Sequence, residues 1–359
     1  MTVLDDLRRD PRVWKEAESL KNAGYDVSII GVRGKDLPHY EKIIGIEVFR
    51  CFAGWHSRVS PLFYTVFALP RAVAVRSKVY HSHDLSTLLV GYIGAKINNA
   101  KLIYDSHELC VEMSHGIKKS IWRLLEQILI KQCNFVLTVN KSIAKELATR
   151  YNTKMPTILL NAAPYKKLAK KKNNYPYRIV YEGIYAKDRS LDKIIEAAPY
   201  IRNGILVFIG EGTEERSLKK LCDKLKVNER VRFLRPIPRE KLISFISSCD
   251  IGLAIYSKDS LNNFYATPNK LFEYIMAGIP IIGSNFPEMK NIIEGEGIGL
   301  TVDPDNPVEI ASSINKLIED EFRYNEMQKN LERARQKYNW EREEKKLIEL
   351  YNKCLRKPS

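Results

Sequence analysis

The chain has 359 residues, enough for about two domains that each bury a core of their own. Hydrophobic residues make up 45% and charged residues 28%, with 18 Gly and 16 Pro, which excludes fibrous and low-complexity proteins. The net charge of +15 is unevenly placed: residues 1–165 hold 23 basic and 15 acidic side chains, segment 166–178 holds 6 and 0, and the remainder holds 29 and 28. The first half therefore favours an anionic partner: nucleic acid, an anionic membrane surface or a phosphate-bearing ligand.

Six widely spaced cysteines without a C-x-x-C pair predict neither a zinc site nor a redox motif, and they favour reduced thiols in the cytosol. The N-terminus lacks the apolar region of a signal peptide. The longest apolar run, Pro61 to Leu69, is far shorter than the roughly 20 residues that cross a bilayer. We therefore expect a cytoplasmic protein that is neither secreted nor membrane-spanning.

Short apolar runs alternate with amphipathic stretches along the chain, which is typical of buried parallel strands connected by helices. The runs predict strands at 27–32, 78–80, 101–106, 135–140, 178–183, 205–210, 251–256 and 279–284. Apolar residues spaced three and four apart predict helices at 117–131, 217–225 and 340–355. This alternation predicts two doubly wound α/β domains.

A lysine-rich segment with prolines near its edges, PYKKLAKKKNNYPY, separates the two halves. Like charges repel and proline interrupts helices and strands, so a domain boundary is expected here. We predict an N-terminal Rossmann-like domain over 1–165, a basic linker over 166–178 and a second Rossmann-like domain over 179–335. The C-terminal helical segment 336–359 is expected to pack toward the N-terminal domain.

The segment TPNKLFEYIMAGIP carries a helix start that suits an anion. Thr267 is expected to cap the helix and Pro268 to occupy its first position. The amides expected to remain free for an anion belong to Asn269, Lys270 and Leu271. Lys270 would add a charge for a diphosphate, and Glu273, one turn further, could accept the hydroxyls of a ribose. A capped helix with a surface glutamate is the simpler interpretation.

Two polar clusters follow predicted strands. They consist of His81, His83 and Asp84, and of Asp105, His107 and Glu108. Both are expected at the carboxyl ends of their strands, where ligands bind in such folds. Metal binding and simple hydrogen bonding at the strand ends are the alternatives.

These segments resemble the family 4 retaining glycosyltransferases of GT-B fold. The resemblance is carried in the second half by YEGIYAKDRSLDKII, FIGEGTEE and PNKLFEYIMAGIPII, and in the first half by LRRDPRVWKEAESLKNAGYDVSII, VYHSHD and LIYDSHE. It implies an α/β protein of two Rossmann-like doubly wound domains facing a cleft. The first domain would bind the acceptor and the second the nucleotide-sugar donor.

The resemblance also implies an activity. The enzyme would move a hexose from a nucleoside diphosphate sugar to a glycan or lipid-linked acceptor in cell-surface polysaccharide or glycoconjugate synthesis, with retention by front-face attack. It would use no metal and no cofactor. A nucleotide-sugar epimerase of GT-B type and a basic nucleic-acid-binding protein remain alternatives, although no helix-turn-helix, zinc-finger or aromatic RNA-binding pattern is present.

Site residues follow position by position from the resemblance. Glu273 matches the second glutamate of the family's E-x7-E motif, which holds the ribose, while Tyr265 occupies the place of the first. Arg189 and Lys270 would neutralise the diphosphate, and His107 matches the histidine that faces the donor sugar. The remaining donor-binding residues would be Gly183, Gly210, Gly212, Thr267, Asn269 and Leu271.

The acceptor side is expected to involve the two polar clusters together with Arg9 and Arg12, which lie in the loop after a short first strand at Met1–Leu4. A solvated loop is the alternative for this arginine pair. The segment from Trp55 to Lys78 mixes aromatic and basic residues. It is interpreted as either a core helix with basic flanks or a helix that docks on the inner face of an anionic membrane.

Overall fold

The computed structural model describes residues 1–7, 10–34, 36–52, 61–167 and 175–356. The chain forms two compact units. Unit 1 contains Met1–Leu160 together with the chain from Glu343 on, and unit 2 contains Asn161–Arg342. The division falls at Leu160, before the lysine-rich segment 166–178, of which residues 168–174 lie outside the described residues.

Unit 1 is a sheet of mainly parallel strands with helices between them. Its elements are α1 (Pro11–Asn22), β1 (Ser28–Val32), β2 (Tyr40–Ile43), β3 (Ile46–Cys51), α2 (Pro61–Val75), β4 (Val79–His83), α3 (Leu85–Ile97), β5 (Lys101–Ser106), α4 (Gly116–Leu129), β6 (Phe135–Thr138), α5 (Lys141–Tyr151) and β7 (Thr157–Ile158). The strand orders are β1-β3-β2 and β4-β5-β6-β7. Thr2 forms parallel bridges to Ile30 and Ser82, so the first residues of the chain connect the two groups of strands.

Unit 2 alternates strands and helices throughout. Its elements are β8 (Tyr177–Glu182), α6 (Leu191–Ala197), β9 (Gly204–Ile209), α7 (Glu215–Leu225), β10 (Val231–Leu234), α8 (Arg239–Ile246), β11 (Ile251–Ala254), α9 (Leu261–Phe264), α10 (Asn269–Ala277), β12 (Ile281–Ser284), α11 (Pro287–Ile293), β13 (Gly299–Val302), α12 (Pro307–Glu319) and α13 (Glu321–Lys337). The last helix of the chain, α14 (Trp340–Leu355), has the predicted bounds.

All strands of unit 2 are parallel, in the order β10-β9-β8-β11-β12-β13. Within the unit this is the 3-2-1-4-5-6 order of a doubly wound sheet, and the order reverses between β8 and β11. Ile179, Phe208, Leu253 and Ile282, one from each of four adjacent strands, belong to one buried cluster. The predicted doubly wound α/β architecture is therefore confirmed. The eight predicted strands are present and differ from the prediction only at their ends, whereas β2, β3, β7, β10 and β13 were not predicted.

Helix α2 has both a buried and an exposed apolar face. It buries Tyr64, Ala68 and Ala72, and Tyr64 donates a hydrogen bond to the carbonyl of Ile30 at 2.7 Å. Its other face exposes Leu62, Phe63, Val66 and Phe67. The core-helix interpretation of this segment thus describes one face only, and residues 53–60 lie outside the described ones.

None of the helices in the described part of the chain combines the length and the apolar character that crossing a bilayer would require.

Candidate functional site

The strand order of unit 2 reverses between the neighbouring strands β8 and β11. In doubly wound sheets, ligands bind beyond the carboxyl ends of the strands at such a reversal. The chain leaves β8 at Gly183 and leaves β11 toward Tyr256 and Ser257. Helix α10 brings Lys270 to the same place, since the Lys270 ammonium lies over the rings of both Tyr181 and Tyr256. Several sequence-predicted donor residues are thereby brought together.

The Lys270 ammonium is buried, and no described residue places a counter-charge within hydrogen-bonding reach of it. Its Nζ lies 3.7 Å from the centre of the Tyr181 ring and 5.1 Å from that of Tyr256. The side chain is 5% exposed, and Nζ has no hydrogen-bond partner among the residues that the structure describes. Burial lowers the pKa of Lys270 to about 7, although the nearby Glu182 carboxylate opposes this. A buried amine in this state gains from the arrival of an anion.

Arg189 supplies a second cation beside Lys270. Its guanidinium carbon lies 4.4 Å from the centre of the Tyr256 ring, which Lys270 also contacts. Its Nη1 donates to Asn263 Oδ1 at 3.4 Å and forms an ion pair with Asp188. Two cations on one tyrosine ring form a compact positive site that matches a diphosphate in charge.

The glycines of this region serve the packing of the loops. Gly183 has φ +135°, and a Cβ there would lie 3.1 Å from Lys270 Nζ. A Cβ on Gly210, at φ +150°, would meet the Gly183 carbonyl oxygen at 2.0 Å, and one on Gly212 would meet the Tyr185 carbonyl oxygen at 2.3 Å. The backbone that closely approaches Gly210 and Gly212 is thus the loop after β8, whereas a ligand was expected to approach these glycines.

The start of α10 differs from the prediction. Pro268, not Thr267, occupies the N-cap position, its backbone is extended, and it makes no side-chain cap. The Leu271 amide donates to the Pro268 carbonyl at 2.9 Å, so it is not free for an anion. The amides of Asn269 and Lys270 remain in the first turn, where helical partners are lacking. Asn269 Oδ1 accepts a hydrogen bond from Asn161 Nδ2 at 2.7 Å.

Glu273 and Tyr265 lie in contrasting surroundings. Glu273 is 9% exposed in the middle of α10, one turn beyond Asn269, so the surface-glutamate interpretation is wrong. Its charge and that of Lys270 influence each other. The Tyr265 ring packs 5.5 Å from that of Phe264, which in turn lies 5.2 Å from Phe286. An aromatic group therefore occupies the position that the resemblance aligns with the first glutamate of the E-x7-E motif.

In unit 1, Arg12 is a structural partner of Asp105. Its Nε and Nη2 donate to the two Asp105 carboxylate oxygens at 2.8 and 2.9 Å, and its Nη1 donates to the Leu159 carbonyl at 2.9 Å. It lies in the first turn of α1 and is 1% exposed. The prediction that Arg12 lies in a loop and contacts a substrate is therefore wrong, and Arg9 lies outside the described residues.

His107 is held between two carboxylates. Nδ1 lies 3.4 Å from Asp84 Oδ2, and Nε2 lies 3.3 Å from Asp105 Oδ2. Burial lowers the pKa of His107, but the two carboxylates outweigh it and raise the value to about 10. The side chain is 18% exposed. His107 thus offers a substrate a fixed positive charge, while both of its ring nitrogens face protein carboxylates.

Asp84 connects His107 to the backbone. Its Oδ1 accepts from the His107 amide at 3.0 Å, and its own backbone has φ 62° and ψ 162° at the start of α3. Such a conformation is rare outside glycine and costs of the order of 1–3 kcal/mol. Backbone strain of this kind concentrates at functional sites, which supports a role for this strand end.

The other cluster residues are more buried than expected. His81 and Asp105 are 0% exposed, so neither faces a cleft. His81 Nδ1 lies 2.9 Å from the Tyr351 hydroxyl, and burial holds the pKa of His81 well below its usual range. His83 is equally buried and its pKa is lowered to about 4. Glu108 is half-buried, and its carbonyl accepts from the Ser106 hydroxyl at 2.9 Å.

Four residues of this cluster have metal-ligand chemistry. Glu16, His81, His83 and Asp105 place ligand atoms within 4.8 Å of one another. The Arg12 guanidinium, however, lies 3.0 Å from Glu16 and is bidentate on Asp105. A metal ion would have to share these carboxylates with a buried arginine, and Coulomb repulsion opposes that. The arrangement fits a neutralised polar network better than a metal centre.

The prediction from sequence missed Tyr181, Tyr256, Glu16 and Tyr351. Tyr181 lies near the end of the run RIVYEG and Tyr256 ends the run IGLAIY, and this place near strand ends was the available signal. Glu16 follows Arg12 by one helical turn, which is the spacing of an ion pair. Nothing in the local sequence marks Tyr351, whose partner His81 is 270 residues away.

Comparisons with known proteins cover nearly the whole chain. Residues 12–159 match the family model Glycosyltransferase Family 4, and residues 165–338 match Glycosyl transferases group 1. An uncharacterized glycosyltransferase of Methanocaldococcus jannaschii is 26% identical, in an alignment that covers 93% of this chain and 91% of that protein.

Solved structures agree in fold. Sucrose-phosphate synthase of Thermosynechococcus elongatus superposes with a TM-score of 0.76 at 18% identity, covering 95% of this chain and 92% of the other. Anabaena HepE in complex with UDP-glucose gives a TM-score of 0.76 at 12% identity, covering 98% of each chain. Both likenesses confirm the GT-B fold with its two Rossmann-like domains.

Proposed function

Because the chain belongs to the group 1, family 4 glycosyltransferases, we propose that it transfers a hexose from a nucleoside diphosphate sugar to a glycan or lipid-linked acceptor with retention of configuration. The observation that carries the donor assignment is the buried Lys270 ammonium beside Arg189 at the strand-order reversal of unit 2. HepE, which has the same fold, binds UDP-glucose. We assign the nucleoside diphosphate to this position.

The residues of unit 2 act on the leaving group. As the bond between the anomeric carbon and the β-phosphate oxygen breaks, its electron pair goes to the diphosphate, where negative charge grows. Lys270 and Arg189 are fixed before the reaction by Tyr181, Tyr256 and Asn263, so they stabilise this charge with little rearrangement. The acceptor oxygen bonds to the same face of the anomeric carbon, and its proton passes to the departing phosphate.

Unit 1 contributes a charge that complements substrate hydroxyl or phosphate oxygens. His107 remains protonated at neutral pH, since its pKa is raised to about 10. We assign it a contact with a substrate, with Asp84 and Asp105 as positioning residues that hold the ring and its charge. The product glycoconjugate would belong to cell-surface polysaccharide or glycolipid synthesis.

The direct test is a screen for donor binding and turnover with the full chain. Thermal shift against nucleoside diphosphates and their sugars should identify one base through a raised melting temperature. The matched sugar nucleotide should then release its diphosphate in the presence of acceptor glycans or polyprenyl-linked saccharides. A chain that binds none of the nucleotides would contradict the donor assignment.

Replacing Glu273 tests the binding of the ribose separately from the binding of the diphosphate. We expect Glu273→Gln to weaken nucleoside diphosphate binding about 10-fold, because the neutral amide loses charge-assisted acceptance from two hydroxyls. Binding of inorganic pyrophosphate, which lacks ribose, should change little. Titration calorimetry with both ligands checks this, and Glu288→Gln on α11 is the control. An equal loss of affinity for both ligands would contradict the assignment of Glu273 to the ribose.

Metal removal should leave transfer intact. Lys270 and Arg189 provide the positive charge that a divalent ion supplies in metal-dependent transferases, so EDTA is expected to change the rate by less than about twofold. The measurement is diphosphate release after dialysis against EDTA, with and without added Mg²⁺ or Mn²⁺. Loss of activity that Mn²⁺ restores would contradict metal independence.

A further inference from the structure

A groove runs along β3 of unit 1, between this strand and α2. It consists of two cavities of about 730 and 600 Å³, which share Phe49, Arg71 and Ala74 as lining residues. The larger cavity lies toward the amino end of β3 and includes Glu47, and the smaller one lies at the carboxyl end and includes Cys51. We call the two cavities together the β3 groove.

The Arg71 side chain separates the two cavities. Its guanidinium carbon lies 4.6 Å from the centre of the Phe49 ring, and both residues line both cavities. Arg71 is exposed to solvent. A cation–π contact at an exposed site contributes only about 0.5–1 kcal/mol, so a ligand can displace it at low cost. The β3 groove can therefore hold one extended ligand.

The carboxyl-end cavity is lined mainly by aromatic rings, those of Tyr40, Phe49, Phe52 and Phe67. The Tyr40 ring lies 5.1 Å from that of Phe49, and the Phe52 ring lies 5.4 Å from that of Phe67. Tyr40 and Phe67 are 49% and 47% exposed, so much of each side chain is open to a ligand. Aromatic rings offer flat apolar surfaces on which the C–H faces of a ligand can pack.

The amino-end cavity is polar and carries charges of both signs. Its cationic side chains are Arg71, Arg76 and Lys78, and its anionic side chains are Asp26 and Glu47. Because these charges nearly balance, the cavity does not favour a strongly charged ligand. A purely apolar ligand is disfavoured as well, since it would desolvate the charges without replacing their hydrogen bonds. Hydroxyl groups suit both signs, because each can donate and accept.

The direction of the β3 groove relates it to His107. From Glu47 to Cys51 the strand rises by about 13 Å at roughly 3.3 Å per residue, which is longer than one sugar ring. β3 pairs in parallel with β1, and Thr2 forms parallel bridges to both β1 and β4. β5, which His107 follows closely, is parallel to β4. The aromatic end of the groove therefore lies at the same edge of the sheet as His107.

We propose that the β3 groove binds an uncharged oligosaccharide, namely the part of a glycan acceptor that is distant from the reacting sugar. Its rings would pack on Tyr40 and Phe67, and its hydroxyl groups would bond to Arg71 and Glu47. An extended carbohydrate is the ligand that uses both cavities, because it combines C–H faces with many hydroxyl groups. The inference rests on the proposed transfer to a glycan. Binding there would raise the local concentration of acceptor near His107.

The first test is titration calorimetry of the full chain, without nucleotide, against linear oligosaccharides of glucose, mannose and galactose of increasing length. We expect one series to bind, with an affinity that rises with length until the groove is filled. Tyr40→Ser/Phe67→Ser should weaken this binding about 10-fold or more, because two rings are lost. Leu62→Ser/Val66→Ser is the control, since both residues are exposed on α2 and line neither cavity.

Alkylation of Cys51 by iodoacetamide tests where the oligosaccharide binds. Cys51 lines the aromatic end of the groove and is half-buried, and Cys133 is half-buried outside the groove. The oligosaccharide should slow modification of Cys51 several-fold and leave that of Cys133 unchanged, as measured by mass spectrometry of the peptides. Binding by none of the three series, or binding that leaves Cys51 unprotected, would overturn the proposal. So would tighter binding of acidic oligosaccharides such as alginate fragments.

Nucleotide affinity and transfer kinetics separate this inference from the proposed function. Both double variants should bind nucleotide like the wild type, which shows that they fold. Tyr40→Ser/Phe67→Ser should raise KM for a long acceptor about 10-fold without changing kcat, and it should leave transfer to a monosaccharide acceptor unaffected. If transfer persists and KM for the long acceptor is unchanged, the groove assignment is wrong and the transferase function stands.

Discussion

Lys270→Met should lose most of its affinity for a nucleoside diphosphate and at the same time gain stability without ligand. Hydrogen bonds to charged groups contribute about 1.5–3 kcal/mol, so we expect binding about 10- to 100-fold weaker. The ligand-free variant should melt at a higher temperature, because methionine removes an amine that is buried beside Tyr181 without a hydrogen-bond partner among the described residues. Titration calorimetry and thermal unfolding measure the two effects.

The pH dependence of both effects follows from the lowered pKa of Lys270. The unfolded chain keeps this proton up to about pH 10, whereas the folded chain releases it near 7. The native state therefore loses stability as pH falls from about 10 toward 7, and the advantage of Lys270→Met should be greatest at pH 7 and below. Nucleotide binding needs the ammonium, so wild-type affinity should decline above pH 7 by up to about 10-fold per pH unit.

Lys220→Met is the matched control for this lysine, since Lys220 is exposed on α7. It should alter neither the nucleotide affinity nor its dependence on pH. If the Lys270→Met variant binds nucleotide with normal affinity, the assignment of Lys270 to the diphosphate is wrong. A variant that loses affinity but keeps the wild-type decline above pH 7 would show that another group titrates.

Asp105→Leu should destabilise unit 1 by about 3–5 kcal/mol, since it leaves the Arg12 guanidinium buried without its bidentate partner. It should also leave the His107 ring less firmly held and lower its pKa, because one of the two carboxylates that raise this pKa is lost. Transfer activity should then fall even at temperatures where the variant is folded. Scanning calorimetry of the full chain and diphosphate release together check these expectations.

The double variant Arg12→Met/Asp105→Leu separates the two consequences. Removing both charges leaves no uncompensated ion, so most of the lost stability should return. The remaining neighbour, Glu16, has its pKa raised chiefly by burial, which persists in the double variant, so it can stay protonated. Activity should not return, because His107 still lacks Asp105. Equal stability of the single and double variants would contradict the pairing of Arg12 with Asp105.

The fold was largely predictable because its signals are local. Buried parallel strands appear as continuous apolar runs such as KLIYDS and ILVFIG, and the strands predicted from such runs are present with small differences at their ends. The short or partly exposed strands β2, β3, β7, β10 and β13 lack such a run and were missed. Local signals also predicted the proposed donor position of unit 2, where Arg189 lies between β8 and α6 and Lys270 lies in the first turn of α10. Their shared contact with Tyr256 was not predictable, since it depends on how β11 and α10 pack.

The predictions that failed concern contacts between residues far apart in the sequence, the exact start of a helix, and which face of a helix is exposed. Arg12 looked like a loop residue because its partner Asp105 is 93 residues away in the sequence. Thr267 was a reasonable cap by residue type, but the extended backbone at Pro268 sets the helix start one residue later. In α4 the apolar residues recur on more than one face, so periodicity predicts a helix without telling which face is exposed.

The strained backbone of Asp84 places stability and activity of unit 1 in conflict. A glycine would adopt φ 62° and ψ 162° without strain, so the folded chain would gain from losing this aspartate. The same change would remove the carboxylate and the amide contact that hold His107. Laboratory evolution toward heat resistance alone would therefore be drawn to this position, and variants selected in that way would trade turnover for a higher melting temperature.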